Sequence, residues 1–257
     1  MPRPHMPDYI VDGVDALDYV LGERWGLLIS ANVPTVMDDR RSLEVEPGEW
    51  EEQDYLATTA PTYPARIRDA VSALARAALP RGFRLVCHAH PSVTPMLLQV
   101  ASDMGARRGS VVVFASRFEW SNGAVSPFCN WSAGVLIGTR SLGVGRQTPR
   151  DAAHMREVMV RVPGLHGAVF IGGHRDVLLD ASAFQATHPS ANCYAIESTG
   201  AAAAALAGRP NSNFHGNLDR DLLRDSKSYS LVAHRIIQDL LRGQRDSGLE
   251  AVSDLFL

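Results

Sequence analysis

The residues best suited to chemistry concentrate in Ala168–Ala202, which reads AVFIGGHRDVLLDASAFQATHPSANCYAIESTGAA. Two short apolar runs, Ala168–Ile171 and Cys193–Ile196, each end in a turn of small residues and lead into a candidate helix. Where a strand passes into a helix through glycine, serine or threonine, the first helical N–H groups can bind an anion and the backbone can approach a ligand closely. Two such turns on neighbouring strands predict a nucleotide-type pocket.

Three carboxylates lie close to these turns, namely Asp176, Asp180 and Glu197. Hydrolysis of an N-glycosidic bond needs a carboxylate that stabilises an oxocarbenium-like transition state or activates water. Glu197, at the end of a strand, is the best placed, although a glutamate there could equally cap a helix or pair with an arginine. The chain has no GxSxG nucleophile elbow, which argues against a serine hydrolase.

The candidate turns each have two interpretations. Gly172-Gly173 can bring the backbone close to a ligand, or can simply be a turn at the end of a strand. Ser198-Thr199-Gly200 can contact an anion, or can be a plain helix cap, because serine and threonine are preferred there. We favour ligand contact for the glycine pair and leave both interpretations open for the second turn.

Histidine and arginine supply the candidate donors. His88 and His90 are two residues apart and would point the same way on an extended segment, as a metal-binding pair does. No third metal ligand is identifiable, so we expect no metal site and predict that at least one histidine donates to a phosphate or a ribose. Arg117 and Arg175 could form bidentate hydrogen bonds with phosphate.

Strands and helices must alternate to position these residues. Core strands are predicted at 25–30, 83–87, 110–115, 168–171 and 193–196, with a β-like patch at 134–138 that could lie at a sheet edge. Helices are predicted at 10–20, 63–78, from residue 92 to 104, at 148–160 with Thr148 as N-cap, and at 218–241. The acidic segment 35–60 is predicted to be a long flap-like loop. This alternation predicts an α/β fold with a parallel sheet and helices on both faces.

Composition narrows the classes of protein. With 257 residues and 46% hydrophobic content, the chain can form one large domain, with residues 1–22 as a peripheral segment. A net charge of −3 gives no reason to expect nucleic acid as a partner. Cys87, Cys129 and Cys193 form no CxxC pair, so a reducing cytosol is expected. We expect neither a signal peptide nor a membrane-spanning helix.

Five segments, taken in order, resemble the successive blocks of a known superfamily. They read LLISANVPT, RLVCHAHPSVTPMLLQVA, VVVFASRFE, GAVFIGGHRDVLLDASAF and PSANCYAIESTGAAA, and they span residues 25–205. Together they resemble the SLOG superfamily, the Rossmann-like group of the lysine-decarboxylase-like phosphoribohydrolases and the ligand domain of TRPM channels. The similarity is closest to the bacterial branch found in conflict and defence gene neighbourhoods.

The resemblance implies a pocket for a nucleotide-derived ligand, such as NAD or an ADP-ribose-like signal, with no required cofactor. In some relatives it also implies cleavage of an N-glycosidic bond. The residues carried over as pocket-forming are Ser30, Asn32, His88, His90, Thr94, Arg117, Gly172, Gly173, His174, Arg175, Ser198, Thr199 and Gly200.

The chain departs from the family pattern where phosphate-facing turns and catalysis would be expected. His88-Ala89 replaces a glycine pair, and Arg175-Asp176 replaces a glycine-threonine pair. Leu179 occupies the place of the catalytic glutamate in the phosphoribohydrolases, and Ala201 replaces a glycine. These changes add bulk or remove conformational freedom, so the ligand must bind differently or the pocket is degenerate.

Three functions follow from this reading, in order of preference. The first is a module that binds or senses a nucleotide-derived molecule in a bacterial antiviral-defence or stress-signalling system. The second is a nucleotide N-glycosidase that uses Glu197, Asp176 or Asp180. The third is a scaffold with a degenerate pocket that forms homo-oligomers through its apolar C-terminal helix. The expected partners are the ligand and either further copies of the chain or an effector protein.

Overall fold

A parallel sheet forms the centre of the molecule. The computed structural model describes residues 7–13, 16–17, 21, 24–33, 61–121, 129–140, 149–209 and 213–246. The strands are β1 Tyr9–Val11, β2 Gly26–Asn32, β3 Arg84–His88, β4 Val111–Ser116, β5 Gly134–Thr139, β6 Leu165–Gly172 and β7 Asn192–Ile196. In this part of the chain they form one all-parallel sheet in the order β1-β5-β4-β3-β2-β6-β7.

Helices cover both faces of the sheet. They are α1 Pro64–Ala78, α2 Thr94–Asp103, α3 Arg117–Ser121, α4 Pro149–Val160, α5 Arg175–Thr187, α6 Ala201–Gly208, α7 Arg220–Asp225 and α8 Tyr229–Asp246. One buried apolar layer is formed with α1, α2 and α8, and the other with α4, α5 and α6. The predicted α/β class is therefore confirmed. The predicted 35–60 loop and the Thr148 N-cap lie outside the described residues.

The core strands are apolar because helices bury them from both sides. All six residues of β4 are buried, as expected for a parallel strand covered on both faces. Helix α1 buries the apolar stripe that the sequence predicted, which includes Ile67, Val71 and Leu74. It is followed by a short 3₁₀ turn that ends at Gly82, whose φ of +80° is a left-handed conformation that glycine adopts without strain.

The N-terminal segment corrects the sequence prediction. A helix was expected over 10–20. Ala16 and Leu17 are helical, but Tyr9–Val11 forms the edge strand β1, and β5 therefore lies inside the sheet. Asp8 anchors this strand, because its N–H donates to the Leu136 carbonyl at 2.9 Å and its carboxylate accepts from the Leu136 N–H at 2.8 Å. Tertiary pairing thus overrides the local alternation of acidic and apolar residues.

The C-terminal region also differs from the prediction of one helix over 218–241. Helices α7 and α8 are separated at Ser226–Ser228, where the Ser226 hydroxyl accepts from the Ser228 N–H at 3.2 Å. Such serine bonds to the backbone compete with helical hydrogen bonds. The predicted apolar positions of α8 are buried in the core, with Leu231 the exception. This helix therefore packs against the rest of the chain. Its apolar face is not free to join copies of the protein, as the scaffold function had assumed.

A buried hydrogen-bond network holds α8 to β7 and yields a stability prediction. The Tyr194 hydroxyl donates to Asp239 Oδ2 at 2.8 Å, and the Asn217 N–H donates to the same oxygen at 3.0 Å. Because Tyr194 and Asp239 are buried, we expect Tyr194→Phe to lower the free energy of unfolding by about 1–3 kcal/mol, measured by urea denaturation.

Tyr229→Phe provides the matched control for this prediction. Tyr229 is also buried, but within the described part of the chain its hydroxyl has no hydrogen-bond partner. Its loss should change the free energy of unfolding by less than about 0.5 kcal/mol or stabilise the protein slightly. Equal losses in the two variants would contradict a specific role for the bond between Tyr194 and Asp239.

Candidate functional site

The site lies where the sheet changes its direction of growth. From β2 the chain adds β3, β4 and β5 on one side, and later adds β6 and β7 on the other. Ligands of open α/β sheets bind outside the carboxyl ends of the strands at such a switch point. Asn32 at the end of β2 is in register with Gly172 at the end of β6, so the first strand and the glycine turn meet here.

A concavity of about 240 Å³, open to solvent, occupies this position. Six of the sequence-predicted site residues line it together: Ser30, Asn32, His88, His90, Asp176 and Asp180. Ile29, Ala31 and Val177 supply the apolar part of the wall. The concavity thus joins the ends of β2 and β3 to the first turns of α5.

Asp180 is the centre of a buried ionic cluster. Its Oδ2 accepts from the Ser30 hydroxyl at 2.6 Å, and its Oδ1 accepts from Arg156 Nε at 2.6 Å. Arg156, on α4, also lies 3.4 Å from Asp176 Oδ1. Ser30, Arg156 and Asp180 are all less than 10% exposed. Both oxygens of Asp180 are therefore occupied within the protein, whereas Asp176 is exposed at the rim.

His88, in the lining of the concavity, forms a close pair with Glu119 that shifts the pKa of both side chains. Its Nε2 lies 2.7 Å from Glu119 Oε1, and Glu119 Oε2 accepts from the Ser116 N–H at 2.7 Å and the Ser116 hydroxyl at 2.9 Å. Burial alone lowers the pKa of His88, but the charge and hydrogen bond of Glu119, with help from Asp180 and Asp176, raise that pKa to about 9. The ring is therefore an imidazolium at neutral pH.

Glu119 is the residue that sequence reasoning missed. Burial alone raises its pKa, yet the charge and hydrogen bond of His88 and the two bonds from Ser116 leave the pKa below its usual value. The only signal in the sequence is a carboxylate three residues beyond Ser116, in the first turn after a strand. Nothing local shows that it faces His88, which is 31 residues away.

Asn32 is a second unusual polar group of the concavity. It is 6% exposed, and its Oδ1 has no hydrogen-bond partner among the residues that the structure describes. A buried polar atom without a partner is costly, and such atoms are rare in folded proteins. The side chain lies beside Gly173 at the ligand-facing end of β2, which is consistent with a bonding partner that comes from outside the protein.

A hydrogen-bonded loop after β3 positions His90 in the lining of the concavity. The His90 N–H donates to Thr94 Oγ1 at 2.9 Å, and the Ser92 N–H donates to His90 Nδ1 at 3.2 Å. Ser92 Oγ in turn accepts from the Val33 N–H at 3.1 Å, which ties this loop to the end of β2. Thr94 therefore acts on the loop and does not line the concavity itself.

Three other predicted residues lie near the site but are not part of its lining. Arg117 begins α3 and is exposed, His174 is buried directly before α5, and Arg175 is the half-buried first residue of α5. The structure therefore does not bring the two predicted arginines into the concavity.

The glycine pair at the end of β6 serves internal packing. A Cβ on Gly172 would lie 2.3 Å from Ile67 Cδ1, and one on Gly173 would lie 2.2 Å from Val177 Cγ2. Both glycines also have positive φ angles. Protein side chains thus fill the space that the absent side chains leave, and the Gly172 N–H donates to Thr199 Oγ1 at 2.8 Å.

The backbone amides that follow the turn Ser198–Gly200 are also bonded within the protein, whereas the buried Ser198 hydroxyl has no hydrogen-bond partner among the described residues. The Ala201 N–H donates to the Pro61 carbonyl and the Ala202 N–H to the Gly173 carbonyl, both at 3.1 Å. Thr62 forms an antiparallel bridge with Gly200. These first amides of α6 are those that a bound anion would need, so an anion here would have to displace the 61–63 segment.

Glu197 lies apart from the other predicted carboxylates. It borders a separate concavity of about 190 Å³, whose lining includes His215 and Arg220. Its Oε2 lies 3.6 Å from Arg220 Nε, the arginine pairing that the sequence left open. The three predicted carboxylates thus have different settings: Asp180 is bonded internally, Glu197 lies elsewhere, and Asp176 alone borders the main concavity with an exposed carboxylate.

The described residues contain neither a metal-binding cluster nor a membrane-spanning helix. No group of three or more His, Cys, Asp or Glu side chains in these ranges is arranged to hold a metal ion. None of the helices described here combines the length and apolar character needed to cross a membrane.

Comparison with known proteins gave one family match. The model of the SLOG cluster3 family matches residues 55–236, more than two thirds of the 257 residues. The match includes β3 to β7 but not β2, which carries Ser30 and Asn32. Neither a curated protein nor a solved structure matches the chain.

Proposed function

Because the chain belongs to the SLOG cluster3 family, which indicates a nucleotide-related function, we propose that it binds a nucleotide-derived small molecule. The ligand would be an ADP-ribose-like nucleotide or NAD, and its site the switch-point concavity. The observation that carries this proposal is that the lining includes both the His88 imidazolium and the buried Asn32 amide oxygen, which has no partner among the described residues.

The chemistry of the lining suits such a ligand. His88 offers a charged donor, which forms stronger hydrogen bonds to phosphate oxygens than a neutral one does. Asp176 offers an exposed carboxylate, which can accept hydrogen bonds from ribose hydroxyl groups. Ile29 and Val177 add apolar surface, which is typical of small-molecule sites.

Binding is favoured over bond cleavage by the settings of the carboxylates. Cleavage would need a carboxylate free to act on the glycosidic carbon or on water. Asp180 is fully engaged by Ser30 and Arg156, and Glu197 lies in another concavity. Asp176 is left as the candidate of the alternative function, an N-glycosidase acting on NAD or nucleoside monophosphates.

Two further parts of the proposal concern its biological setting. Binding would act as sensing in a bacterial antiviral-defence or stress-signalling system, through an effector protein or through assembly of several copies of the chain. These roles depend on the resemblance of the sequence to the conflict-associated branch of the superfamily.

Isothermal titration calorimetry with ADP-ribose, NAD, cyclic ADP-ribose and AMP tests the proposal. We expect one or more of these ligands to bind the wild type and to bind Asp176→Ala at least about tenfold more weakly, because the exposed carboxylate that would accept from the ribose is lost. Arg161→Met, an exposed position directly after α4, is the control. No binding by any of the four at millimolar concentration would refute the proposal, and release of free base would favour the N-glycosidase.

A further inference from the structure

The pair formed by His88 and Glu119 is built more elaborately than a pair needed for packing alone. Both side chains are less than 20% exposed, and Glu119 receives three short hydrogen bonds, from His88 and from the N–H and hydroxyl of Ser116. Burying a charged pair costs free energy that well-packed apolar residues would not cost. A buried charged pair at the edge of the switch-point concavity therefore points to a use in recognition.

The groups around His88 determine which atom of its ring can donate a hydrogen bond to a ligand. Glu119 on α3 faces Nε2, and the carboxylates of Asp176 and Asp180 on α5 act from a greater distance. His90 lies on the same wall of the concavity, and Arg156 neutralises Asp180. Because Nε2 is bonded to Glu119, Nδ1 is the edge of the ring that can donate to a ligand.

The structure assigns the recognition of the ligand's phosphate to His88, with Glu119 as the positioning residue that orients the ring and keeps it charged. This inference rests on the proposed function and deepens it, since it specifies that the ligand must be a phosphate-bearing nucleotide and not a neutral nucleoside. It also moves the anion site away from the two turns that the sequence favoured.

The backbone amides of those turns are already bonded within the protein. The Gly172 N–H is bonded to Thr199, and the first amides of α6 are bonded to Pro61 and Gly173. The phosphate would instead lie at the carboxyl end of β3, next to the first turn of α5, in which Asp176 is exposed. A helix N-terminus adds to the attraction for an anion there, beside a charged donor that Glu119 holds in place.

Titration of the wild type with AMP, ADP-ribose and adenosine is the first test. We expect AMP and ADP-ribose to bind at least about tenfold more tightly than adenosine, because a charge-assisted hydrogen bond is lost without the phosphate. Adenosine binding as tightly as AMP would overturn the inference while leaving the proposed function intact. A failure of these ligands and also of NAD and cyclic ADP-ribose would instead contradict the proposed function itself.

The pH dependence of ADP-ribose binding is the second test. The pKa of His88 is raised to about 9, so wild-type binding should persist at neutral pH and weaken as the pH rises through that value. Glu119→Gln removes the charge that raises this pKa, so the loss should begin at lower pH. At about pH 8 binding should be at least about tenfold weaker than in the wild type, because each unit above the pKa lowers the protonated fraction tenfold.

Glu157→Gln, an exposed glutamate of α4 that pairs with Arg161, is the matched control and should retain the wild-type profile. The His88 ring can also be titrated directly by NMR in the wild type, a measurement that requires no variant to fold. A His88 pKa near 6.5, or an unchanged pH profile in Glu119→Gln, would refute the role of Glu119.

Discussion

Arg156→Met should lower the free energy of unfolding by about 3–5 kcal/mol, the largest effect that we expect from any single change near the site. Arg156 Nε is bonded to Asp180 Oδ1 at 2.6 Å, and both side chains are almost fully buried. Methionine would leave the Asp180 carboxylate in the interior with the Ser30 hydroxyl as its remaining donor among the described residues. An uncompensated buried charge of this kind is among the most destabilising defects known.

Urea denaturation monitored by circular dichroism measures this effect, and Arg161→Met is its control. Arg161 lies directly after the same helix, but its side chain is 47% exposed and pairs with Glu157 four residues away. Its loss should cost no more than about 0.5 kcal/mol. If the two variants lost the same stability, the cluster around Asp180 could not be the structural centre of the site.

Gly200→Ala should be the second most damaging change and should lower the free energy of unfolding by about 2–5 kcal/mol. Gly200 has φ +81° and ψ −166°, a region that essentially only glycine occupies, and a side chain there costs about 1–3 kcal/mol. A Cβ would also lie 2.1 Å from the Pro61 carbonyl oxygen, so the backbone of the 61–63 segment would have to move. Such overpacking typically adds about 1–3 kcal/mol.

Gly208→Ala, measured in the same denaturation experiment, separates strain from the general effect of replacing glycine. Gly208 ends α6, and nothing lies within 4 Å of the position its Cβ would take. Alanine there should be neutral or should stabilise the protein by up to about 1 kcal/mol. If Gly200→Ala lowered the free energy of unfolding by less than about 1 kcal/mol, the 61–63 segment would have to move at little cost, and its contact with Gly200 would not hold the turn in place.

The core strands and helices could be predicted well because each has a local pattern of apolar residues in the sequence. The apolar runs at 110–115 and 168–171 became β4 and β6, and the stripe through Ile67, Val71 and Leu74 became the buried face of α1. Strand β1 could not be predicted in this way, because its place depends on pairing with β5 and on the bonds of Asp8 to Leu136.

The candidate site was predictable in position but not in its internal bonding. The family resemblance implied that residues following β2, β3 and β6 share one pocket, and in the structure β2 lies between β3 and β6. Nothing in the sequence revealed that Pro61 would bond the first amide of α6, or that Glu119 would face His88. Both contacts join residues that are far apart in the chain, so they depend on the folded geometry.

A crystal structure of the protein grown with ADP-ribose tests the central claim most directly. We predict that the ligand occupies the concavity beside β2 and β3, with a phosphate oxygen within hydrogen-bonding distance of His88 Nδ1 and its ribose near Asp176. A ligand bound instead at Ser198–Gly200, with the 61–63 segment displaced, or in the separate concavity beside Glu197, would contradict the account.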